Sequence, residues 1–270
     1  MNSLPIGVFD SGLGGLTVVR ELMCILPNES ICYFGDTGRV PYGNRSRETI
    51  RKYAIQDIRF LLQKRVKMII AACGTVSSVA ESVGGSLTIP FVGVVRPAVQ
   101  AAVDASKSGR IGVIGTAATI SSGSYNTLIS ELSQEAKVFT QACPLFVPLV
   151  EGGFISPGEE IARLTAERYL LPLMEKDIDT LILGCTHYLI LRPIISKVCG
   201  DGVTLIDSGR QAALLARDVL AGRNALSPST HKGSAAFYVS DQIEGFSQIA
   251  SICLGADISG NVTRVDIDNL

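Results

Sequence analysis

The sequence predicts an α/β fold of two pseudo-symmetric α/β domains with mainly parallel sheets. Short apolar runs alternate with longer amphipathic stretches along the chain, the pattern of parallel strands covered by helices. A unit also occurs twice, because the segment 6–11 (IGVFDS) is echoed by 111–116 (IGVIGT). Ligands bind at the carboxyl ends of strands in such sheets, so we expect an active site in the cleft between the domains.

The strands and helices follow from hydrophobic periodicity. The apolar runs predicted as strands are 6–9, 31–34, 67–72, 91–94, 111–115, 181–184, 203–206 and 236–239. The clearest amphipathic helices, with apolar residues at three- and four-residue intervals, are 14–26, 44–64, 158–175, 210–220 and 242–254.

The repeat continues through the chain and predicts the domain boundaries. The segment 69–75 is echoed by 181–187, so that Cys73 and Cys185 occupy matching positions. The run 94–98 is similarly followed by 205–209, each an apolar strand leading into a helix. We therefore expect a first domain formed by 1–96 with a returning segment 208–270, and a second domain formed by 97–207.

Composition narrows the class of protein. Lys and Arg number 24 against 25 acidic residues, so no strong positive field would attract nucleic acid or an anionic membrane. The N-terminus lacks the features of a signal peptide, and no apolar run reaches membrane-spanning length, which predicts a cytoplasmic protein. The 7 cysteines form no CxxC pair, which favours free thiols over disulfides or a zinc ribbon.

Cys73 and Cys185 are the candidates for chemistry. Each follows an apolar strand at the turn where α/β proteins expose reactive groups, and nearby N–H dipoles are expected to favour the thiolate there. A cysteine in an apolar run is more often a small core residue, which is our interpretation of the other five. Two matched acid/base groups facing one cleft suit removal of a proton from one face of a carbon and delivery to the other.

Two further residues stand beside these thiols. His187 lies two positions after Cys185 and could exchange protons with it, although a structural histidine is an equal alternative. Asp10 ends the first strand and precedes a glycine-rich turn, whose backbone N–H groups could bind the carboxylate of a ligand. Asp10 could equally be the N-cap of the helix that follows.

Cofactors and phosphoryl chemistry are disfavoured. Gly12, Gly14 and Gly15 lack the GxGxxG spacing of a dinucleotide site, and no further ligands at metal-site spacing accompany Cys185 and His187. The lysines mostly lie in polar stretches or at strand edges, unlike a pyridoxal phosphate lysine, and the loop after Cys73 lacks a phosphate-binding arginine. We expect no cofactor and no metal.

At these motifs the chain resembles the glutamate racemases. The segments that carry the resemblance are 7–15 (GVFDSGLGG), 35–43 (GDTGRVPYG) and 183–188 (LGCTHY), with weaker matches at 115–119 and 148–152. Together they are specific and extend over nearly the whole chain.

The resemblance implies interconversion of L- and D-glutamate without a cofactor, supplying D-glutamate for bacterial peptidoglycan, by an enzyme that is often a homodimer. Cys73 and Cys185 match the catalytic cysteines, Asp10 and His187 would assist them, and Glu151 would position or polarise the second. The residues implied to bind glutamate are Asp10, Ser11, Tyr42, Gly43, Gly74, Thr75, Thr116, Thr119, Thr186 and His187. The family usually has Asn where this chain has Gly74, a difference expected to affect affinity or substrate preference.

Two alternatives stay open from the sequence. The substrate could be aspartate or another small acid, given the missing side chain at Gly74. The chain could also be a non-enzymatic two-domain binder, in which case ligand binding would survive replacement of both cysteines.

Overall fold

The computed structural model describes residues 2–40 and 42–267. Pro41, which belongs to the 35–43 motif, and the terminal residues Met1 and 268–270 of the predicted first domain lie outside this part. The described strands are β1 (Ile6–Asp10), β2 (Ile31–Gly35), β3 (Met68–Ala71), β4 (Phe91–Gly93), β5 (Arg110–Gly115), β6 (Lys137–Ala142), β7 (Thr180–Leu183), β8 (Thr204–Asp207), β9 (Ala235–Val239) and β10 (Val262–Arg264).

Helices connect and cover these strands. They are α1 (Leu16–Ile25), α2 (Arg47–Gln63), α3 (Gly74–Gly84), α4 (Val95–Ala105), α5 (Ala117–Ser121), α6 (Ser124–Leu132), α7 (Phe146–Glu151), α8 (Glu160–Met174), α9 (Arg192–Cys199), α10 (Ser208–Gly222) and α11 (Ile243–Leu254). Short 3-10 turns occur at Tyr42–Asn44, Thr186–Leu189 and Ser259–Asn261.

The strands form two parallel sheets, which confirms the predicted fold class. One sheet has the order β10-β9-β2-β1-β3-β4 and the other β6-β5-β7-β8. The order β2-β1-β3-β4 corresponds strand for strand to β6-β5-β7-β8, so the sequence repeat is a repeat of sheet topology. The returning segment adds β9 and β10 to the first sheet, while the exact domain boundaries stay a prediction.

The central strands are apolar because helices cover both faces of each sheet. In β1, β3 and β7 every residue is buried, as parallel sheets require. On the first sheet one apolar cluster packs with α1, α10 and α11, and another packs with α2 and α3. The second sheet has its own two clusters, packed with α7, α8 and α9 on one side and with α4 and α6 on the other.

Several elements were not among the predictions. The strand β6 lies at a sheet edge and is half-exposed, and β10 has 3 residues, so neither is a strongly apolar run. The helix α3 (GTVSSVAESVG) is composed largely of residues with weak helix propensity, and α5 and α7 have 5 and 6 residues.

No helix in residues 2–40 and 42–267 has the length and apolar character needed to cross a membrane.

Candidate active site

Three strand ends meet at one cavity. Asp10 is the last residue of β1, while Cys73 and Cys185 each stand two positions beyond the ends of the corresponding strands β3 and β7. The repeat therefore brings the two cysteines to the same cleft from opposite halves of the molecule. Both line a cavity of about 130 Å³, and their exposed fractions are 7% and 8%.

All of the sequence-predicted site residues line this cavity. They are Asp10, Ser11, Tyr42, Gly43, Cys73, Gly74, Thr75, Thr116, Thr119, Glu151, Cys185, Thr186 and His187. The other lining residues were not predicted from the sequence; they are Val40, Ala117, Pro144, Val147, Pro148 and Gly184. Most of these lie in or directly beside the quoted segments 35–43, 115–119, 148–152 and 183–188, so proximity to a motif was the available signal. The roles of the predicted residues stay predictions.

Cys73 stands in a dry, negatively charged environment. Its Sγ lies 3.6 Å from the hydroxyl of Ser11. Burial raises the pKa of Cys73 to about 12, and the charge of Asp10 adds to the increase, while the backbone N–H of Val76 and the Ser11 hydroxyl oppose it. The expectation that helix N–H dipoles would lower the pKa was wrong for Cys73, because loss of water outweighs the dipoles.

Backbone N–H groups of the glycine-rich turn, at Gly12 and Gly15, stabilise the carboxylate of Asp10. Its Oδ2 accepts a hydrogen bond from the backbone N–H of Gly12 at 2.9 Å, whereas Oδ1 is buried and has no hydrogen-bond partner in the described structure. Burial raises the pKa of Asp10, and the charge of His187 opposes that increase. A buried oxygen without a donor is costly, so Oδ1 would gain from a donor group brought into the cavity that Asp10 lines.

Cys185 belongs to a chain of polar groups on the opposite side. Its Sγ lies 3.8 Å from Nδ1 of His187, and Nε2 of His187 lies 3.4 Å from Oε1 of Glu151. The second contact has ion-pair distance without hydrogen-bond geometry. Burial alone would lower the pKa of His187, but its interactions with Cys185 and Glu151 raise it to about 10. The imidazole is therefore protonated at neutral pH.

Threonine hydroxyls join the two halves at the edge of the cavity. Thr75, at the start of α3, lies 3.1 Å from Thr116 and 3.2 Å from Thr119 between hydroxyl oxygens. Thr116 also caps α5 through its contact with the N–H of Thr119. These hydroxyls can donate or accept, so they suit a ligand that carries both carboxylate and ammonium groups.

Tyr42 lines the cavity, but its hydroxyl is engaged by carboxylates. The hydroxyl donates to a carboxylate oxygen of Asp36 and lies 3.2 Å from Asp57, both outside the cavity lining. Arg39 bridges the same two carboxylates at 2.6 Å and 3.2 Å. This network was not predicted from the sequence, although Asp57 lies on the buried face of α2 beside Ile58, where a charge is unusual.

Glycines let the two halves approach closely. A Cβ on Gly74 would overlap the carbonyl oxygen of Gly184, and a Cβ on Gly14 would overlap the Thr186 hydroxyl and lie 2.6 Å from Nδ1 of His187. There is thus no room at position 74 for a side chain in this closed arrangement. The cleft is closed around the cavity by backbone contacts.

Within the described part of the chain, no group of three or more His, Cys, Asp or Glu side chains is arranged to hold a metal ion.

Comparison with known sequences identifies related proteins. The family model for Asp/Glu/hydantoin racemases matches residues 24–216. A glutamate racemase from Chlorobaculum tepidum is 48% identical over 259 residues, covering 94% of this chain and 93% of the relative. One from Geobacter metallireducens is 43% identical, covering 97% of each chain.

Solved structures with the same architecture agree. Glutamate racemase RacE1 from Bacillus anthracis superposes with a TM-score of 0.93 at 38% identity, covering 98% of each chain. The Francisella tularensis glutamate racemase, solved in complex with D-glutamate, has a TM-score of 0.91 at 38% identity and covers 100% of both chains.

Proposed function

This chain belongs to the Asp/Glu/hydantoin racemase family and is an isomerase, and we propose that it interconverts L- and D-glutamate without a cofactor. In this proposal Cys73 and Cys185 transfer the proton at Cα, assisted by Asp10, His187 and Glu151. The observation that carries the proposal is that two cysteines from equivalent strand ends of a repeated unit line one cavity. The relatives named glutamate racemase support the choice of substrate.

The size and lining of the cavity support a small polar substrate. A volume of about 130 Å³ corresponds to roughly four water molecules in the liquid, which suits an amino acid and is below the range of nucleotide or drug-sized sites. The hydroxyls of Ser11, Thr75, Thr116, Thr119 and Thr186 would bind the carboxylate and ammonium groups of glutamate. Closure by backbone contacts would exclude water from the reacting carbon.

The two thiols differ in environment in a way that suits two-base chemistry. The raised pKa of Cys73 keeps it protonated at neutral pH, while the imidazolium of His187 would stabilise negative charge on the sulfur of Cys185. In this proposal one cysteine acts as the base and the other as the acid in each direction. A pair with a single shared proton is what a racemase needs before either enantiomer binds.

In one direction, the Cys185 thiolate takes the Cα proton, and the bonding electron pair remains on the substrate as a carbanion. The Cys73 thiol then donates its proton to the opposite face, which leaves a Cys73 thiolate and a Cys185 thiol. In the other direction, Cys73 is the base and Cys185 the acid. Hydrogen-bond donors around the substrate carboxylate would stabilise the charge that develops on the carbanion.

Isotope exchange tests this proposal directly. Incubation of the unmutated enzyme with L-glutamate in deuterated water should introduce deuterium at Cα, which nuclear magnetic resonance measures. The optical rotation of the solution should be lost over the same time. Cys73→Ser and Cys185→Ser should each lower racemisation by at least about 10³-fold, because an alcohol with a much higher pKa replaces the acid/base group.

Cys143→Ser is the matched control. Cys143 is buried in the same half as Cys185 but does not line the cavity, so its replacement should leave exchange nearly unchanged. Full racemisation in either catalytic-site variant, or no exchange in the unmutated enzyme, would refute the two-cysteine mechanism. Glutamate binding that survives both serine changes, without turnover in the parent chain, would favour a non-enzymatic binder.

Comparison of exchange rates with L-glutamate and L-aspartate identifies the preferred substrate. We expect glutamate to be preferred. A higher kcat/KM for aspartate would instead support the alternative acid suggested by Gly74.

The proposal includes the role of the enzyme in the cell. We infer that it acts as a homodimer in the cytoplasm and supplies D-glutamate for peptidoglycan synthesis, with no nucleic-acid or membrane partner. Depletion of the enzyme in cells should lower the D-glutamate pool and cause lysis, which added D-glutamate should prevent. Sedimentation equilibrium of the purified protein should give twice the mass of the chain. A monomer, or lysis that D-glutamate does not relieve, would contradict these parts.

A further inference from the structure

Tyr125 is buried almost completely, like Tyr33, Tyr42 and Tyr188, but its hydroxyl is the exception among them. The hydroxyls of Tyr33 and Tyr188 donate to backbone carbonyl oxygens at 2.7 Å and 2.8 Å. The hydroxyl of Tyr42 donates to a carboxylate. The hydroxyl of Tyr125 has no hydrogen-bond partner in the described part of the chain. A buried hydroxyl without a partner is costly, so its presence calls for a physical explanation.

Apolar packing does not require this hydroxyl. Tyr125 is the second residue of α6 and belongs to the apolar cluster under the second sheet, together with Val99 and Ile182. Phenylalanine would fill the same space without burying a polar atom. The position therefore departs from its apolar surroundings at a single atom, and such departures are expected where function requires them.

The hydroxyl of Tyr125 lies beside the backbone that carries Cys185. A Cβ built on Gly184 would lie 3.2 Å from both the hydroxyl oxygen and Cε2 of Tyr125. Gly184 lines the substrate cavity and immediately precedes Cys185. The hydroxyl is thus next to the glycine that joins β7 to this cysteine.

The hydroxyl is also within electrostatic reach of both sulfurs. Burial raises the pKa of Tyr125, and negative charge on Cys185 and then on Cys73 raises it further. Tyr125 therefore keeps its proton at neutral pH and can act through its O–H dipole but not as a base. The O–H can rotate toward a nearby negative charge, and in a site with little water this dipole is only weakly screened.

The other titratable groups that couple electrostatically to Cys185 are Cys73, Cys143, His187 and Tyr188. Burial raises the pKa of Cys73 and of Cys143, so both thiols stay protonated at neutral pH. The imidazole of His187 lies between Cys185 and Glu151, and the hydroxyl of Tyr188 donates to a backbone carbonyl. Tyr125 differs from these groups in having a donor that no described residue accepts.

We propose that Tyr125 is a positioning residue for the racemisation, whose O–H dipole stabilises the negatively charged sulfur of Cys185. The role rests on the proposed two-cysteine reaction. Cys185 carries that charge before proton transfer in one direction and after it in the other, so the hydroxyl acts with either enantiomer. Its lack of a partner lowers stability while it assists the reaction, a trade-off that is common at active sites.

Tyr125→Phe tests this role, because it removes the hydroxyl and keeps the ring. The free energy of unfolding in urea should be unchanged or higher than in the parent, since the lost hydroxyl has no partner among the described residues. The acidic limb of the pH profile of kcat/KM for glutamate should move up by about 0.5–1 pH unit, a loss of roughly three- to tenfold on that limb. Above the limb, kcat/KM should match that of the parent.

Alkylation of Cys185 by iodoacetamide at a series of pH values, followed by mass spectrometry, measures the thiolate without turnover. Its pH dependence should move up by the same amount in Tyr125→Phe. This readout separates the two proposals. Absence of racemisation in the parent would refute the two-cysteine reaction, whereas an unshifted alkylation profile in Tyr125→Phe would refute the role of Tyr125.

Two matched changes serve as controls. Tyr188→Phe removes a buried hydroxyl that is hydrogen-bonded, so it should lower the free energy of unfolding where Tyr125→Phe does not. Tyr169→Phe changes a half-buried tyrosine on α8 that does not line the cavity, and it should leave both pH profiles unchanged. A loss of stability in Tyr125→Phe as large as that in Tyr188→Phe, with unchanged pH profiles, would indicate a purely structural hydroxyl and overturn the proposal.

Discussion

His187 couples the candidate site to the pH dependence of stability. Burial alone would lower its pKa, but the interactions with Cys185 and Glu151 overcome that effect and raise the pKa from 6.5 to about 10 in the folded chain. A raised pKa means that the folded state binds the proton more tightly. The resulting stabilisation is fully present below pH 6.5 and is lost as the pH rises through about 10.

We therefore expect the free energy of unfolding to fall between pH 6.5 and pH 10, and His187→Gln to make this slope shallower. Urea denaturation at several pH values measures how the free energy of unfolding depends on pH. His231→Gln is the control, because His231 is exposed and should leave the slope unchanged. An unchanged slope in His187→Gln would show that the imidazole is not held as a buried cation.

Glu151 is expected to support that cation from the far side of the ring. Its Oε1 lies 3.4 Å from Nε2 of His187. Glu151→Gln removes the charge while keeping nearly the same shape, so the pKa of His187 should fall, and kcat for glutamate should fall on the order of tenfold. Nuclear magnetic resonance titration of the imidazole follows the first effect. A pKa unchanged by Glu151→Gln would leave Cys185 as the main source of the shift.

The loop between β2 and α2 is held by a buried charged network. Arg39 lies 2.6 Å from Asp36, 3.2 Å from Asp57 and 4.1 Å above the ring of Tyr53. Tyr42 joins the same carboxylates through its hydroxyl and also lines the substrate cavity. The network thus positions one wall of the cavity from outside.

Arg39→Lys tests this positioning role. Lysine keeps the charge but cannot reproduce the planar fork, so the loop should shift and kcat/KM for glutamate should fall on the order of tenfold. Lys67→Arg is the control: Lys67 forms a buried ion pair with Glu29 at 2.6 Å, and neither residue lines the cavity. Both variants should lose stability in urea, but only Arg39→Lys should lose activity. Equal kcat/KM in the two would indicate a purely structural network.

Closure of the two halves depends on glycines that face each other across the cleft. Gly14 is in the first half, and a Cβ there would overlap the hydroxyl of Thr186 in the second. Gly14→Ala should hold the halves apart and lower kcat/KM by about 100-fold, because small displacements of catalytic groups have large effects.

Gly245→Ala is the control for this change. Position 245 is in α11 with open space around it, so alanine should increase the free energy of unfolding by about 0.5–1 kcal/mol and leave activity unchanged. Full activity in Gly14→Ala would mean that catalysis tolerates a wider cleft.

Long apolar strands and strongly amphipathic helices were predictable because burial on both faces leaves a direct pattern in the sequence. The predicted strand 31–34 differs from β2 by one residue, and the predicted helix 242–254 from α11 by one residue. The helix α3 and the edge strand β6 lack that pattern, because their neighbours rather than their own propensities stabilise them.

The sequence alone determined the repeat, the α/β class and the two matching cysteines, because periodicity and duplication are properties of the order of residues. Only the tertiary structure decided the electrostatics of the site: the raised pKa of Cys73, the protonated His187 and the use of the Tyr42 hydroxyl by Asp36. Desolvation and pairing depend on groups that lie far apart in sequence and meet only when the two halves close.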